Sequence, residues 1–331
     1  ISLCRRSHNG VCADVMQFRT EIPPLGGWQG LIAHGRPVLL VGSCFSDNIG
    51  RQLADDLFEA TVNPFGPLYN PLSILRAFSM IESGEVPERV CSSGGRFLSF
   101  DAHSRVSGNS PEQLLECLRY QVVRARKVVE RAAAVIVTLG TTRYFTLCSD
   151  GIAVANCHKQ SGKLFAESRL TLAEASLMIN DIVLTIKRLN PEAAIIFTVS
   201  PLRYPGSDPH LNTLSKSILH IAVSQAVSQY DRTVYFPAYE IMMDDLRDYR
   251  FYASDMRHPS DMAVDYIYEN FSQSFFSDST RDIARGARKL TRRFAHRTDA
   301  VRDVMSWPEV SIIQSHPELN EAFQQYMSHG V

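Results

Sequence analysis

No stretch of this chain approaches the ~20 consecutive apolar residues of a membrane-spanning helix. No CxxC pair occurs among its seven cysteines, and their odd number speaks against a disulfide framework. Zinc-ribbon spacing is therefore absent, and reduced thiols in a cytoplasmic protein are the expectation. An excess of one charge is also missing. The 34 basic and 35 acidic residues leave a net charge of -1, so nothing steers the whole protein toward a polyanion and no nucleic-acid partner is expected. There is no glycine-rich phosphate loop with its lysine, no G-x-S-x-G elbow, no internal repeat and no low-complexity tract. Residues 1–15 have a basic pair but no apolar core and do not read as a secretory signal. They are expected to be disordered or non-native, an over-extended reading frame or an artificial addition, with the functional protein starting at Met16.

What is present is the composition of a globular domain, 45 % apolar and 21 % charged, in a chain long enough for one large α/β domain. Four short apolar runs lack polar alternation: Pro37–Gly42, Ala133–Leu139, Ala193–Ser200 and Thr233–Phe236. That is the pattern of parallel strands covered on both faces. A weaker strand is expected at Phe58–Val62. Helical spacing alternates with these runs at Ser46–Leu57, Asn70–Met80, Pro111–Ala132, Thr171–Leu189, Asn212–Ser228 and Ser260–Phe275. The alternation predicts a doubly wound, flavodoxin-like three-layer α/β/α sandwich with a mostly parallel sheet. Arg89–Asn109 shows no helix and is expected to be a lid or insertion. The main domain is expected over 16–275. Residues 276–331 form a helical extension, in which the basic run Arg281–Arg297 reads as an amphipathic helix packed on that domain with a solvated basic face.

In such sheets ligands bind where the strands end. Gly42-Ser43, Gly140-Thr141-Thr142 and Ser200-Pro201 all follow strands directly. A serine between a strand and a helix start lies beside free backbone N–H groups that stabilise an anion, which suits a nucleophile. The plainer reading is that Ser43 or Ser46 only caps the helix. Asp255-Met256-Arg257-His258-Pro259-Ser260 supplies a carboxylate one turn from an imidazole, and that pairing suits a general base and its orienting group. His158, in Asn156-Cys157-His158-Lys159, either lines the pocket or rivals His258 as base, and with Cys44 or Cys157 it would allow a thiol enzyme. Arg203 and Tyr204 follow a strand end and either bind an anionic or sugar substrate or anchor a loop.

Six ordered blocks carry a resemblance: Gly42-Ser43-Cys44-Phe45-Ser46, the segment from Val62 to Pro71, Leu139-Gly140-Thr141, Asn156 to Lys159, Val199 to Arg203, and Asp255-x-x-His258-Pro259-Ser260. From about Met16 to the tail, the chain resembles the GSCFA-domain proteins, which are grouped with the SGNH/GDSL hydrolases. That resemblance implies an SGNH-type fold and an ester hydrolase with Ser43 as nucleophile, His258 as general base and Asp255 as its orienter. It implies the Ser43 and Gly66 N–H groups as oxyanion donors and requires no metal and no organic cofactor. The chain departs from the pattern in lacking Gly-Asp-Ser and in carrying Gly140-Thr141-Thr142 where Gly-x-Asn is usual, so a hydroxyl replaces an amide donor, or Asn63 takes the role. A small-molecule or glycan ester is the expected substrate. Alternatives are a non-catalytic binding module on the same fold and an acyltransferase using the same triad. Oligomeric state leaves no mark in the sequence.

Overall fold

A computed structural model describes residues 19–203, 208–295, 304 and 307–329. Residues 1–15, with the expected start at Met16, and Tyr204 lie outside the described residues.

The apolar runs fold as expected. Strands β1 (Val38–Gly42), β2 (Ala60–Val62), β6 (Ala134–Leu139), β10 (Ala194–Val199) and β11 (Thr233–Tyr235) form one parallel five-stranded sheet in the order β11-β10-β6-β1-β2. Numbered within the sheet, this is the 2-1-3-4-5 order of a flavodoxin-like fold. In register, Val38 of β1 lies opposite Ala60 on one side and Ala134 on the other.

Alternate residues of each strand enter different cores, which explains why the runs show no polar alternation. Leu39, Val135, Val137, Ile195 and Phe197 face helices α2 (Pro71–Ser83), α3 (Pro111–Val129), α4 (Leu172–Leu189) and α5 (Pro209–Gln229). Val38, Leu40, Ala134, Ile136 and Ile196 face α1 (Cys44–Asp55) and α7 (Asp261–Phe275). Each large apolar side chain so enclosed contributes ~1.5–3 kcal/mol relative to an exposed one. Caps fix the helix starts. Thr171 and Glu174 close a reciprocal capping box on α4, while Asn70, Ser110 and Ser260 cap α2, α3 and α7.

Two small antiparallel sheets decorate the strand-end edge. The segment expected to be a lid or insertion holds β3 (Val90–Ser93), β4 (Arg96–Ser99) and β5 (Ser107–Gly108). The second sheet pairs β7 (Arg143–Leu147) with β8 (Ala153–Val154) and β9 (Phe165–Arg169).

The tail is helical, with α8 (Asp278–Ala295), α9 (Ser311–Ser315) and α10 (Asn320–His329). Its basic helix packs on the main domain. Arg288 forms an ion pair with buried Asp56 and donates to Gln52 Oε1 and O at 2.5 and 2.9 Å. Ala287 and Leu290 join Leu57, Trp307, Val310 and Phe323 in a third apolar cluster. Arg281, Arg285 and Arg293 are paired with Asp278, Asp282 and Glu309.

Candidate active site

The site is built from the point where strand order reverses, between β1 and β6. Gly42 ends β1 at φ +150, and a Cβ there would stand 2.2 Å from the Thr138 carbonyl oxygen of β6. Only glycine fits so close to a neighbouring backbone. Its N–H donates to Asn63 Oδ1 at 2.9 Å, and its carbonyl accepts from Leu68 N–H at 2.8 Å. Ser43 follows as the N-cap of α1, with 2 % of its surface exposed. Its Oγ accepts the Phe45 N–H at 3.3 Å, a long cap bond that leaves the hydroxyl hydrogen free for another partner. Of the two serines read as the cap, Ser43 takes that place, and Ser46 Oγ donates to Thr138 Oγ1 at 2.8 Å.

The oxyanion assignments need correcting, because the fold uses these donors itself. The Ser43 N–H donates to the Thr138 carbonyl at 3.0 Å and the Gly66 N–H to the Asn63 carbonyl at 2.7 Å. Gly66 is glycine for another reason: at φ +73, a Cβ would lie 2.5 Å from the His103 Cβ. Asn63 uses Oδ1 on Gly42 and donates from Nδ2 to Asp47 at 2.7 Å, so it holds the turn beside Ser43. The Gly140 and Thr141 N–H groups both donate to the Tyr69 carbonyl, at 2.8 and 2.9 Å. The Thr142 N–H and hydroxyl both bind Ser215 of α5, at 2.7 and 3.1 Å, so the hydroxyl put in place of the usual amide is turned inward. Gly140 nevertheless backs directly on the serine, since a Cβ on it would lie 3.6 Å from the Ser43 Cβ. The Cys44 N–H, first in α1, donates to no other described residue and is the helix-start donor left over.

Asp255 and His258 come together in the turn before α7. Tyr252 bridges to Pro259, and the Ala253 N–H donates to the His258 carbonyl at 2.8 Å. Inside that turn Asp255 Oδ1 accepts the backbone N–H groups of Arg257 and His258, at 2.9 and 3.0 Å, while Oδ2 meets His258 Nδ1 at 2.5 Å. The hydrogen bond from the imidazole, helped by the two backbone donors, holds the Asp255 carboxyl down at about 2. An ionised carboxylate at Nδ1 assigns the ring proton to that nitrogen and leaves Nε2 open. Both side chains are roughly half exposed. Among the described residues no hydrogen bond joins His258 to Ser43, so the two halves of the expected triad are formed separately.

His158 is held on both sides and is not an available base. Nδ1 lies 2.9 Å from Ser104 Oγ and Nε2 lies 2.7 Å from the Ser99 carbonyl, in a buried position. Burial also pushes its pKa down, and pushes the Cys44 and Cys157 thiols up, against a thiolate nucleophile. His158 still lines a cavity of about 260 Å³ with Tyr69, Asn70, Thr141, Arg143 and Cys157. A larger cavity of about 910 Å³ runs between α7 and α8 beside Asp56, Tyr268 and Arg288, and neither Ser43 nor His258 lines it.

Two cations stand over the strand ends. Arg203 follows β10, is exposed, and forms no ion pair or hydrogen bond among the described residues. Lys216, on α5, passed unnoticed in the sequence. It is fully buried, with Nζ donating to the carbonyls of Gly140 and Ser200 at 2.7 and 2.6 Å. Its only signal was a lone lysine at helical spacing from Leu219 and Val223, on a face that also buries Asn212 and Ser215. His103 against Gly66 and the Arg105–Asp47 pair at 2.7 Å were missed as well, since residues so far apart in sequence share no motif. Among the described residues no cluster of three or more His, Cys, Asp or Glu side chains is arranged to hold a metal ion, and no helix is long and apolar enough to cross a membrane.

Residues 37–271 match the GSCFA family, and the chain belongs to it. The match is shorter than the resemblance read from Met16 to the tail. Solved structures with a similar course include a carbohydrate esterase family 2 enzyme with a carbohydrate-binding domain from Corynascus thermopiles (Myceliophthora fergusii), at 13 % identity and a TM-score of 0.38 over 77 % of this chain and 68 % of that one. A Clostridium thermocellum family 3 carbohydrate esterase follows at 11 % identity, TM-score 0.35, over 76 % and 97 %. An acetyl xylan esterase, Est2A, from Butyrivibrio proteoclasticus aligns at 12 % identity, TM-score 0.34, over 73 % and 66 %. No curated protein matches the chain in sequence.

Proposed function

We propose that this GSCFA-family chain is a serine ester hydrolase in which Ser43 attacks the acyl carbon and His258, oriented by Asp255, takes the serine proton. The observation that carries this reading is the Asp255–His258 bond at 2.5 Å, which commits Nδ1 and leaves Nε2 as the basic nitrogen. In the first step the Ser43 Oγ–acyl bond forms. His258 passes its proton to the leaving alcohol, and water then cleaves the acyl-enzyme by the reverse route. The Cys44 N–H at the start of α1 is the donor closest in sequence to the developing oxyanion. For Nε2 to accept the Ser43 proton, the Asp255–His258 turn must approach the strand ends when substrate binds. Hydrogen bonds of this kind are often incomplete before substrate is present.

The substrate class proposed from the family's SGNH kinship is an O-acylated small molecule or glycan. Transfer of the acyl group to an acceptor other than water would use the same residues. The cysteine pattern favours a reducing, cytoplasmic compartment. A second reading, a binding module without chemistry, is favoured by the internal use of the Ser43, Gly66 and Thr142 donors.

A fluorophosphonate probe followed by mass mapping separates the two. The hydrolase reading expects an adduct on Ser43 that His258→Ala slows sharply and Ser43→Ala removes. A folded protein that takes no label on Ser43 would instead support the binding module.

A further inference from the structure

We infer that the cavity of about 260 Å³ between the second small sheet and the start of α2 is a subsite for one uncharged, hydroxylated ring, of the size and chemistry of a single sugar residue. That this ring carries the ester rests on the hydrolase reading; that the cavity takes such a ring does not.

The cavity adjoins the candidate nucleophile. Tyr69, Asn70 and Thr141 line it. A Cβ built on Gly140 would lie 3.5 Å from the Tyr69 Cβ and 3.6 Å from the Ser43 Cβ, so the serine and the cavity wall flank one glycine. The size suits a ring. A void of about 150 Å³ accommodates benzene, and the larger volume here leaves room for hydroxyl groups around a six-membered ring.

The lining sets the chemistry. Asn70 is 6 % exposed, and its Oδ1 accepts the Ser73 N–H at 2.8 Å as the cap of α2. Its Nδ2 has no hydrogen-bond partner among the described residues. Half-buried Asn156 repeats the pattern: Oδ1 accepts the His158 N–H at 2.7 Å, and Nδ2 is left over among the described residues. Buried amide donors ordinarily have partners. An alkyl chain would leave these N–H groups unmet, whereas ring hydroxyls accept from them. Among the described residues no carboxylate lines the cavity. The Arg143 charge is met by Glu167 at 2.7 Å and the Lys159 side chain is exposed to water, so neither calls for an anion. Tyr144 and Phe145 add aromatic surface for the apolar face of the ring.

The wall is also fixed in advance. His158 and Lys159 stand one after the other in the left-handed region, at φ 52 and 57. Side chains of this size rarely adopt that backbone, and it persists only where the surroundings hold it. Here Ser104 and the Ser99 carbonyl grip both ring nitrogens of His158, and the Gln160 N–H closes the turn on the Cys157 carbonyl at 2.9 Å. His158 is therefore a positioning residue for the cavity, a role that accounts for a buried histidine which the proton transfer does not use.

Saturation-transfer NMR on the whole chain tests the subsite with the methyl glycosides of glucose, galactose and xylose, which carry no ester. Cyclohexanol and glucuronate serve as the apolar-ring and anionic-ring controls. At least one neutral glycoside is expected to bind better than both controls. Asn70→Ser keeps a capping oxygen but removes both N–H groups, and should weaken that binding about fivefold, the scale of one hydrogen bond. Cys157→Leu fills the cavity from another side and should abolish binding, and it decides the matter if the first variant does not fold. Absence of glycoside binding, equal binding of cyclohexanol, preference for glucuronate, or binding that either folded variant leaves unchanged overturns the inference. The hydrolase reading fails separately, through the absence of a fluorophosphonate adduct on Ser43. Glycoside binding that is weakened in Asn70→Ser then upholds the subsite without the ester.

Discussion

Asn63 accepts the Gly42 N–H at 2.9 Å, and through that bond the turn after β2 fixes the residue that precedes Ser43. Asn63→Ala removes this acceptor and the donor to Asp47 in a buried setting. It also places alanine at φ +43, where asparagine is better tolerated. An unsatisfied buried group costs ~1–3 kcal/mol, so a lower urea midpoint is expected, together with slower probe labelling of Ser43. Asn63→Asp keeps the acceptor for Gly42 but sets a carboxylate against Asp47, so at neutral pH it should not restore the midpoint.

Gly42→Ala should be far more severe than Gly66→Ala. At Gly42 the added carbon meets the Thr138 backbone, which cannot yield without parting β1 from β6. At Gly66 it meets the side chain of His103. Soluble yield and melting temperature of the two variants check the ranking. Equal effects would mean that the β1–β6 seam is looser than described.

Asp255 should remain ionised well below the usual carboxylate range. Its pKa is depressed in the fold, so the stabilisation it brings is complete above the unfolded value. It is lost only as pH falls through about 2. Carboxyl-carbon NMR titration is expected to show that low midpoint, and His258→Ala should move it upward. No limb of an activity profile between pH ~4 and ~7 should then belong to Asp255.

Lys216 works in the opposite sense. Its folded pKa lies below the unfolded one, so the folded state gives up a proton that the unfolded state keeps between pH ~7 and ~10. Its burial penalty is complete below about 7 and is relieved as pH rises through that window. Denaturation of wild type and Lys216→Met across the window should show a rising stability difference in favour of the wild type. A parallel pair of curves would contradict the burial of a lysine held by two carbonyls and the Tyr239 ring, with no carboxylate partner among the described residues.

Arg288→Ala should loosen the tail from α1. Removing it leaves Asp56 buried with Tyr268 as its remaining partner, and a buried pair broken in this way costs ~3–5 kcal/mol. Proteolysis should then cut first within α8 to α10, while Ser43 labelling persists.

The sheet was legible because its strands are enclosed on both faces, and unbroken apolar runs such as Ala134–Leu139 have few other uses. The Asp255–His258 pair was legible because three residues of chain bring the groups together. The two small sheets were not: β3 to β5 and β7 to β9 are short, half-exposed and polar, and they pair through contacts that leave no periodic trace. The donor assignments around Ser43 failed for a related reason. Motif position shows which backbone groups are near a site, but not which already serve a neighbouring carbonyl, as the Gly66 N–H does for Asn63. Lys216 stayed hidden because a single lysine in a helix is ordinarily solvated, and its burial depends on β6 and β10 ending beside it.

The central place of β1 bears on how the protein is made. Its Val38 is paired with Ala60 soon after synthesis, but its other edge waits for Ala134. About a hundred residues must leave the ribosome before that edge is covered, and such delayed pairing is slow and prone to association between chains. The strand that leads into Ser43 therefore spends translation as an open apolar edge. Mutations that slow formation of β6 should show themselves first as a greater need for chaperones, before any loss in the finished molecule.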